Sequence, residues 1–89
     1  MNKNKNDILN RICYTELVYG RINKRLKTNY SKREIERMLF TLISDIQEEC
    51  IQKIGKNFYV ANLEKDIRIT INSKTYRVIT VDRVSKIKK

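Results

Sequence analysis

Seven basic side chains and two acidic ones fall between residues 21 and 37, in the stretch RINKRLKTNYSKREIER. Clustered cations more often mark a polyanionic partner, with a solvated lysine-rich face as the alternative. If residues 16–27 are helical, Arg21, Lys24 and Arg25 recur at spacings of three and four, and Lys27 follows at the helix end. Lys32 and Arg33 then occupy the first turn of the next helix, where the macrodipole is already positive. An approaching phosphate relieves that repulsion, and free amides at a helix start are anion ligands themselves. The spacing predicts that Arg21, Lys24, Arg25, Lys27, Lys32 and Arg33 converge on one anion-binding corner. Tyr14, Tyr19 and Tyr30 lie around it, with core or helix-entry roles expected and base stacking as the alternative. The ending RVSKIKK adds Arg83, Lys86, Lys88 and Lys89, a tail suited to non-specific phosphate contact.

Other chemistries lack their residues. There is no histidine, so no Ser-His or Cys-His nucleophile and no histidine general base. Two isolated glycines cannot build a phosphate loop. Cys13 and Cys50 are too few for a zinc site and are expected to be buried thiols. Glu48-Glu49 and Glu64-x-Asp66 offer carboxylates for a hard cation but read as exposed helix-end and loop acids, the first pair on the unfavourable end of its helix. A non-enzyme without metal or other cofactor is expected.

The elements must place these residues, and length bounds them: 89 residues hold one core. No apolar run is long enough to span a bilayer. The N-terminal MNKNKND lacks the apolar segment of a signal peptide, so a cytoplasmic protein with a short basic arm is expected. The net charge of +10 is uneven: +6 over residues 1–44, −2 over 45–66 and +6 over 67–89.

YSKRE followed by Ile35 is a capping box, with Ser31 at the N-cap, Glu34 three residues on, and Tyr30 and Ile35 at the staple positions. Ile35, Met38, Leu39, Leu42, Ile43 and Ile46 then recur at helical spacing. Phe40 falls off this stripe and is expected to pack against an end of the sheet. Upstream, Asp7 is expected to cap a helix through Ile8, Leu9, Ile12 and Cys13. Leu17, Val18, Ile22 and Leu26 form a second series, as a continuation or as a separate helix capped by Thr15. Beyond residue 50 the period becomes two. CIQKI and FYVAN read as short strands joined at GKN, and LEKD links them to DIRITINSKTYRVITV, a hairpin. A turn centred on Ser73 and Lys74 sets Ile71 opposite Tyr76, Ile69 opposite Val78 and Ile67 opposite Thr80, leaving Ile79 and Val81 as apolar exceptions on the polar face. The expected fold is α+β: two or three N-terminal helices on a C-terminal three- to four-stranded antiparallel meander. Its divisions are an arm at 1–6, helices over 7–49, sheet over 50–84 and a basic tail at 85–89.

ICYTELVYGRINKRL, YSKREIE and IRITINSKTYRVITVDR together resemble a family of small bacterial proteins known as a domain of unknown function, over nearly the entire chain. The resemblance implies a stand-alone cytosolic domain of bacterial or mobile-element origin and carries no catalytic or binding residue with it. From the residues, the expected function is a small, non-catalytic nucleic-acid-binding module for RNA or DNA, with neither membrane nor small-molecule substrate as partner. The alternative is a phage or mobile-element inhibitor of a host nuclease, anti-CRISPR-like, acting on a protein or guide-RNA complex. A second alternative is an accessory subunit of a larger assembly, docking through Ile79 and Val81.

Overall fold

A computed structural model of the protein describes residues 3–87, with side chains described for 4–85. Helices α1 (Lys3–Arg11), α2 (Glu16–Leu26) and α3 (Lys32–Ser44) precede strands β1 (Ile51–Ile54), β2 (Asn57–Asn62), β3 (Ile67–Asn72) and β4 (Val78–Arg83). A one-turn helix, α4 (Val84–Ile87), follows. The strands form an antiparallel meander in the order β1-β2-β3-β4. The fold is α+β, as the change of hydrophobic period predicts.

The capping box is realised, whereas Tyr30 at the staple position stays exposed. The Ser31 hydroxyl accepts from the Glu34 amide at 3.2 Å, and the Glu34 carboxylate accepts from the Ser31 amide at 2.7 Å. Two amides at the start of α3 are thereby satisfied. Ile35, Leu39, Leu42 and Ile43 from this helix are buried, with Val18, Ile22 and Leu26 of α2, against Phe58, Val60, Ile69 and Ile71 of the sheet. Buried Asn62 ties the layers together, its amide donating to the Leu42 carbonyl at 3.2 Å. Gly55, at φ 61°, takes the first central position of the two-residue β1–β2 turn, where a side chain would be strained.

Several expectations fail for identifiable reasons. Asp7 does not cap: α1 begins at Lys3, so the described part of the supposed arm is helical. The cap comes from far along the chain, where Glu48 Oε1 accepts from the Lys5 amide at 3.1 Å while Lys5 Nζ donates to the Ile46 carbonyl at 2.7 Å. Glu48 is therefore not misplaced at the end of α3; it serves the positive end of α1. Thr15 stands at the N-cap of α2 but its side chain makes no capping bond. Leu17 points outward, 83% exposed, and Phe40, one residue off the buried stripe of α3, is half exposed instead of meeting the sheet.

Neither cysteine is in the core. Cys13 is exposed and Cys50 half-buried, because both fall in connections and not on the buried helical stripes. The β3–β4 register also differs. Ile71 pairs with Val78, Thr70 with Thr80 and Ile69 with Val81, so a β-bulge at Ile79 breaks the alternation. The loop is longer than a two-residue turn because Asn72 Oδ1 accepts from the amides of Lys74 and Thr75, and Tyr76 turns the chain at φ 61°. The bulge brings Val78 and Val81 to the same buried face, so Val81 is core and the docking patch expected at Ile79 and Val81 is not formed.

Candidate nucleic-acid interface

Helix α2 lies against β4 and buries Val18, Ile22 and Leu26. Leu17, Gly20, Arg21, Lys24 and Arg25, with Lys27 just beyond, line a shallow open groove along its solvent side, Arg21 and Arg25 on the flank next to β4. The one acid of the helix is Glu16, in its first turn. Lys24 and Arg25 fall in the last turn, where cations complement the negative end of the macrodipole. Part of the basic cluster thus has a local structural role. Lys27 is different, because it holds the left-handed C-cap at φ 58°, a position glycine fills at less steric cost.

The cations divide by what they touch. Arg25 donates to Asp82 on β4 at 2.6 Å, and Arg21 reaches the Ile79 carbonyl at 3.4 Å. Arg25 stays 55% exposed, so this pair is screened and contributes little beyond fixing the side chain. Lys24, Lys27 and Arg33 are exposed and make no ion pair among the described residues.

Lys32 does not join them. It pairs with Glu16 and lies 5.4 Å from the centroid of the Tyr19 ring. The loop after α2 doubles back along the helix, held by Asn23. That side chain accepts from the Tyr30 amide at 3.0 Å and the Thr28 hydroxyl at 2.8 Å, and donates to the Tyr30 carbonyl at 2.9 Å. The start of α3 is thereby set beside the acidic first turn of α2, away from Lys24 and Lys27. Sequence proximity suggested one corner; the fold makes two.

At the second corner Tyr14 and Tyr19 stack with centroids 5.5 Å apart, and Tyr19 donates to Glu36 at 2.6 Å. Loss of hydration, then the bond to Glu36, pushes the Tyr19 phenol up to about 12. Burial, reinforced by the Glu36 charge, pushes Tyr14 upward as well. These rings are engaged with each other and with α3, in the structural role expected for them. Tyr30 is exposed.

Arg83 lies elsewhere again, beside a groove between the end of α2, α3 and the β2–β3 connection, with Arg37 and Lys65. Lys86 has no described side chain, and Lys88 and Lys89 lie outside the described residues. No group of three or more acidic, cysteine or histidine side chains able to hold a metal occurs among the described residues. Among them, too, no helix is long and apolar enough to cross a membrane. The partners Asp82, Glu16 and Glu36 were not foreseen, since each meets its cation or tyrosine across the fold.

A family model described as Protein of unknown function (DUF3781) matches residues 6–82. The chain belongs to this family. The match takes in α2 and the start of α3 with their cations, and stops short of Arg83 and the C-terminal lysines. The comparisons with curated proteins and with solved structures return no match.

Proposed function

We propose that this protein is a small non-catalytic nucleic-acid-binding module whose phosphate-contacting surface is the outward side of α2. One observation carries the reading: Arg21, Lys24, Arg25 and Lys27 project from one exposed helical side, and the acids nearby answer only Arg25 and Lys32. A net charge of +10 over 89 residues adds long-range attraction for a polyanion. Arg33 and the paired Lys32 lie at the other corner, at the start of α3, and are not part of this surface.

The reading is tested by binding of a short labelled oligonucleotide at increasing salt. Affinity falls with a log–log slope of about −0.7 per phosphate contact for a single strand and about −0.9 for a duplex. Arg21→Glu/Lys24→Glu/Lys27→Glu removes binding and leaves unfolding cooperative, since all three side chains are exposed. Arg25 is spared because a glutamate there would face Asp82. A wild-type protein without oligonucleotide binding at low salt would falsify the reading.

Leu17 favours a second reading. An exposed leucine at the head of a basic stripe suits a protein partner that offers an apolar pocket rimmed by acids. An inhibitor of a host nuclease or an accessory subunit would use the stripe in this way. Leu17→Ala then abolishes partner binding, whereas phosphate binding is indifferent to it.

A further inference from the structure

The helical layer covers one face of the sheet, the face of Phe58, Val60, Ile69 and Ile71. By alternation Gln52, Tyr59, Ala61, Arg68 and Thr70 project from the other. There the Arg68 guanidinium lies 5.1 Å from the centroid of the Tyr59 ring. Its Nε is buried without a hydrogen-bond partner, and so is the Thr80 hydroxyl in the neighbouring strand. Register sets Asp82 opposite Arg68, yet the Asp82 carboxylate is bonded to Arg25 of α2. Glu49 borders the same groove and forms no ion pair with Arg68. Arg68 is thus a cation without an acidic partner among the described residues, held over an aromatic ring.

We propose that Tyr59 and Arg68 form a seat for one unstacked base of a single-stranded nucleic acid whose phosphates lie on α2. This rests on the phosphate-binding reading above and adds to it the strandedness of the ligand. The Tyr59 ring and the Arg68 side chain are both half-buried, and a base stacked on the ring contributes about as much as the guanidinium it replaces. An incoming base takes the place of the Arg68 guanidinium over the Tyr59 ring. The released guanidinium then turns to a phosphate oxygen, which supplies the acceptor that Nε lacks. Asp82 connects the two surfaces: it bonds Arg25 on one side and faces Arg68 on the other. From its strand to the strand of Tyr59 is two strand spacings, about 10 Å. Bases inside a duplex are paired and stacked and cannot reach the ring; those of a single strand can.

The test compares a short labelled oligopyrimidine with a duplex of matching length, using the wild-type protein, Tyr59→Ala and Tyr59→Phe. Tyr59→Ala is expected to weaken single-strand binding roughly five- to a hundred-fold, the loss of one stacked base. Duplex affinity and the salt slope stay as they were, and Tyr59→Phe binds as the wild type does. The protein has no tryptophan, so its emission is tyrosine emission, and single-strand binding quenches the Tyr59 part. Equal single-strand affinity for Tyr59→Ala and wild type overturns the seat and leaves phosphate binding by α2 standing. Loss of duplex binding together with single-strand binding in a folded Tyr59→Ala also overturns it. A wild-type protein that binds neither oligonucleotide overturns both.

Discussion

Lys27 is a cation in a backbone conformation that favours glycine. At φ 58° it is in the left-handed region, where an L side chain crowds its own carbonyl and glycine does not. Lys27→Gly should therefore raise stability by about 1 kcal/mol in denaturant titration, while weakening oligonucleotide binding by the loss of one contact. Stabilisation without any loss of binding would make Lys27 an ordinary surface lysine. Tyr19 allows a second test. Its phenol is raised from 10.0 to about 12 by loss of hydration first and by its bond to Glu36 second. The unfolded chain releases this proton before the folded one, so the contribution is complete below pH 10 and is lost as pH rises toward about 12. Alkaline titration of unfolding should show stability falling across this window. The fall should be shallower in Tyr19→Phe, with a remainder due to Tyr14, whose phenol is shifted the same way.

Among the elements, the segment from Thr28 to Ser31 decides where the cations go. Asn23→Ala removes three side-chain bonds to Thr28 and Tyr30 and should cost about 1–2 kcal/mol. Hydrogen exchange at the Tyr30 amide should accelerate with it; unchanged exchange would mean the loop is held by other contacts. This segment also marks what the sequence can and cannot convey. The capping box and the stripe of α3 are local patterns with one physical reading, and they form as expected. Four strands in meander order follow from a period of two broken at Gly55 and at LEKD. The β3–β4 register is a different matter. Ile79 and Val81 look like errors of alternation until the bulge is known, and the bulge depends on a turn built around the Asn72 side chain. The start of α1 is not legible locally because its cap, Glu48, lies 43 residues from Lys5. The cationic corner failed for the same reason, since Asn23 alone gives no sign that the loop will double back.

The whole molecule has a Cα radius of gyration of 12.0 Å, against about 12 Å for a close-packed chain of this length. One core serves both layers, and Ile69 is central to it at 1% exposure. Ile69→Ala should cost about 2–5 kcal/mol as an interior truncation. Leu17→Ala, on the outside, should change stability by no more than about 0.5 kcal/mol. Similar losses for the two in denaturant titration would contradict the packing described. The short connection between α1 and α2 has a different kind of consequence. The Cys13 amide donates to Tyr76 at 2.9 Å and its carbonyl accepts from Val78 at 3.0 Å, a single parallel bridge at the start of β4. With α2 alongside and Arg21 on the Ile79 carbonyl, that margin of the sheet is occupied by the chain's own N-terminal half. Among the described residues, β1, four residues long, is the edge strand whose outer margin no other element covers. A molecule with one such margin can take part in one strand addition. Two copies joined β1 to β1 would close on a two-fold axis with nothing left to extend, so the topology itself limits sheet-mediated self-association to a pair.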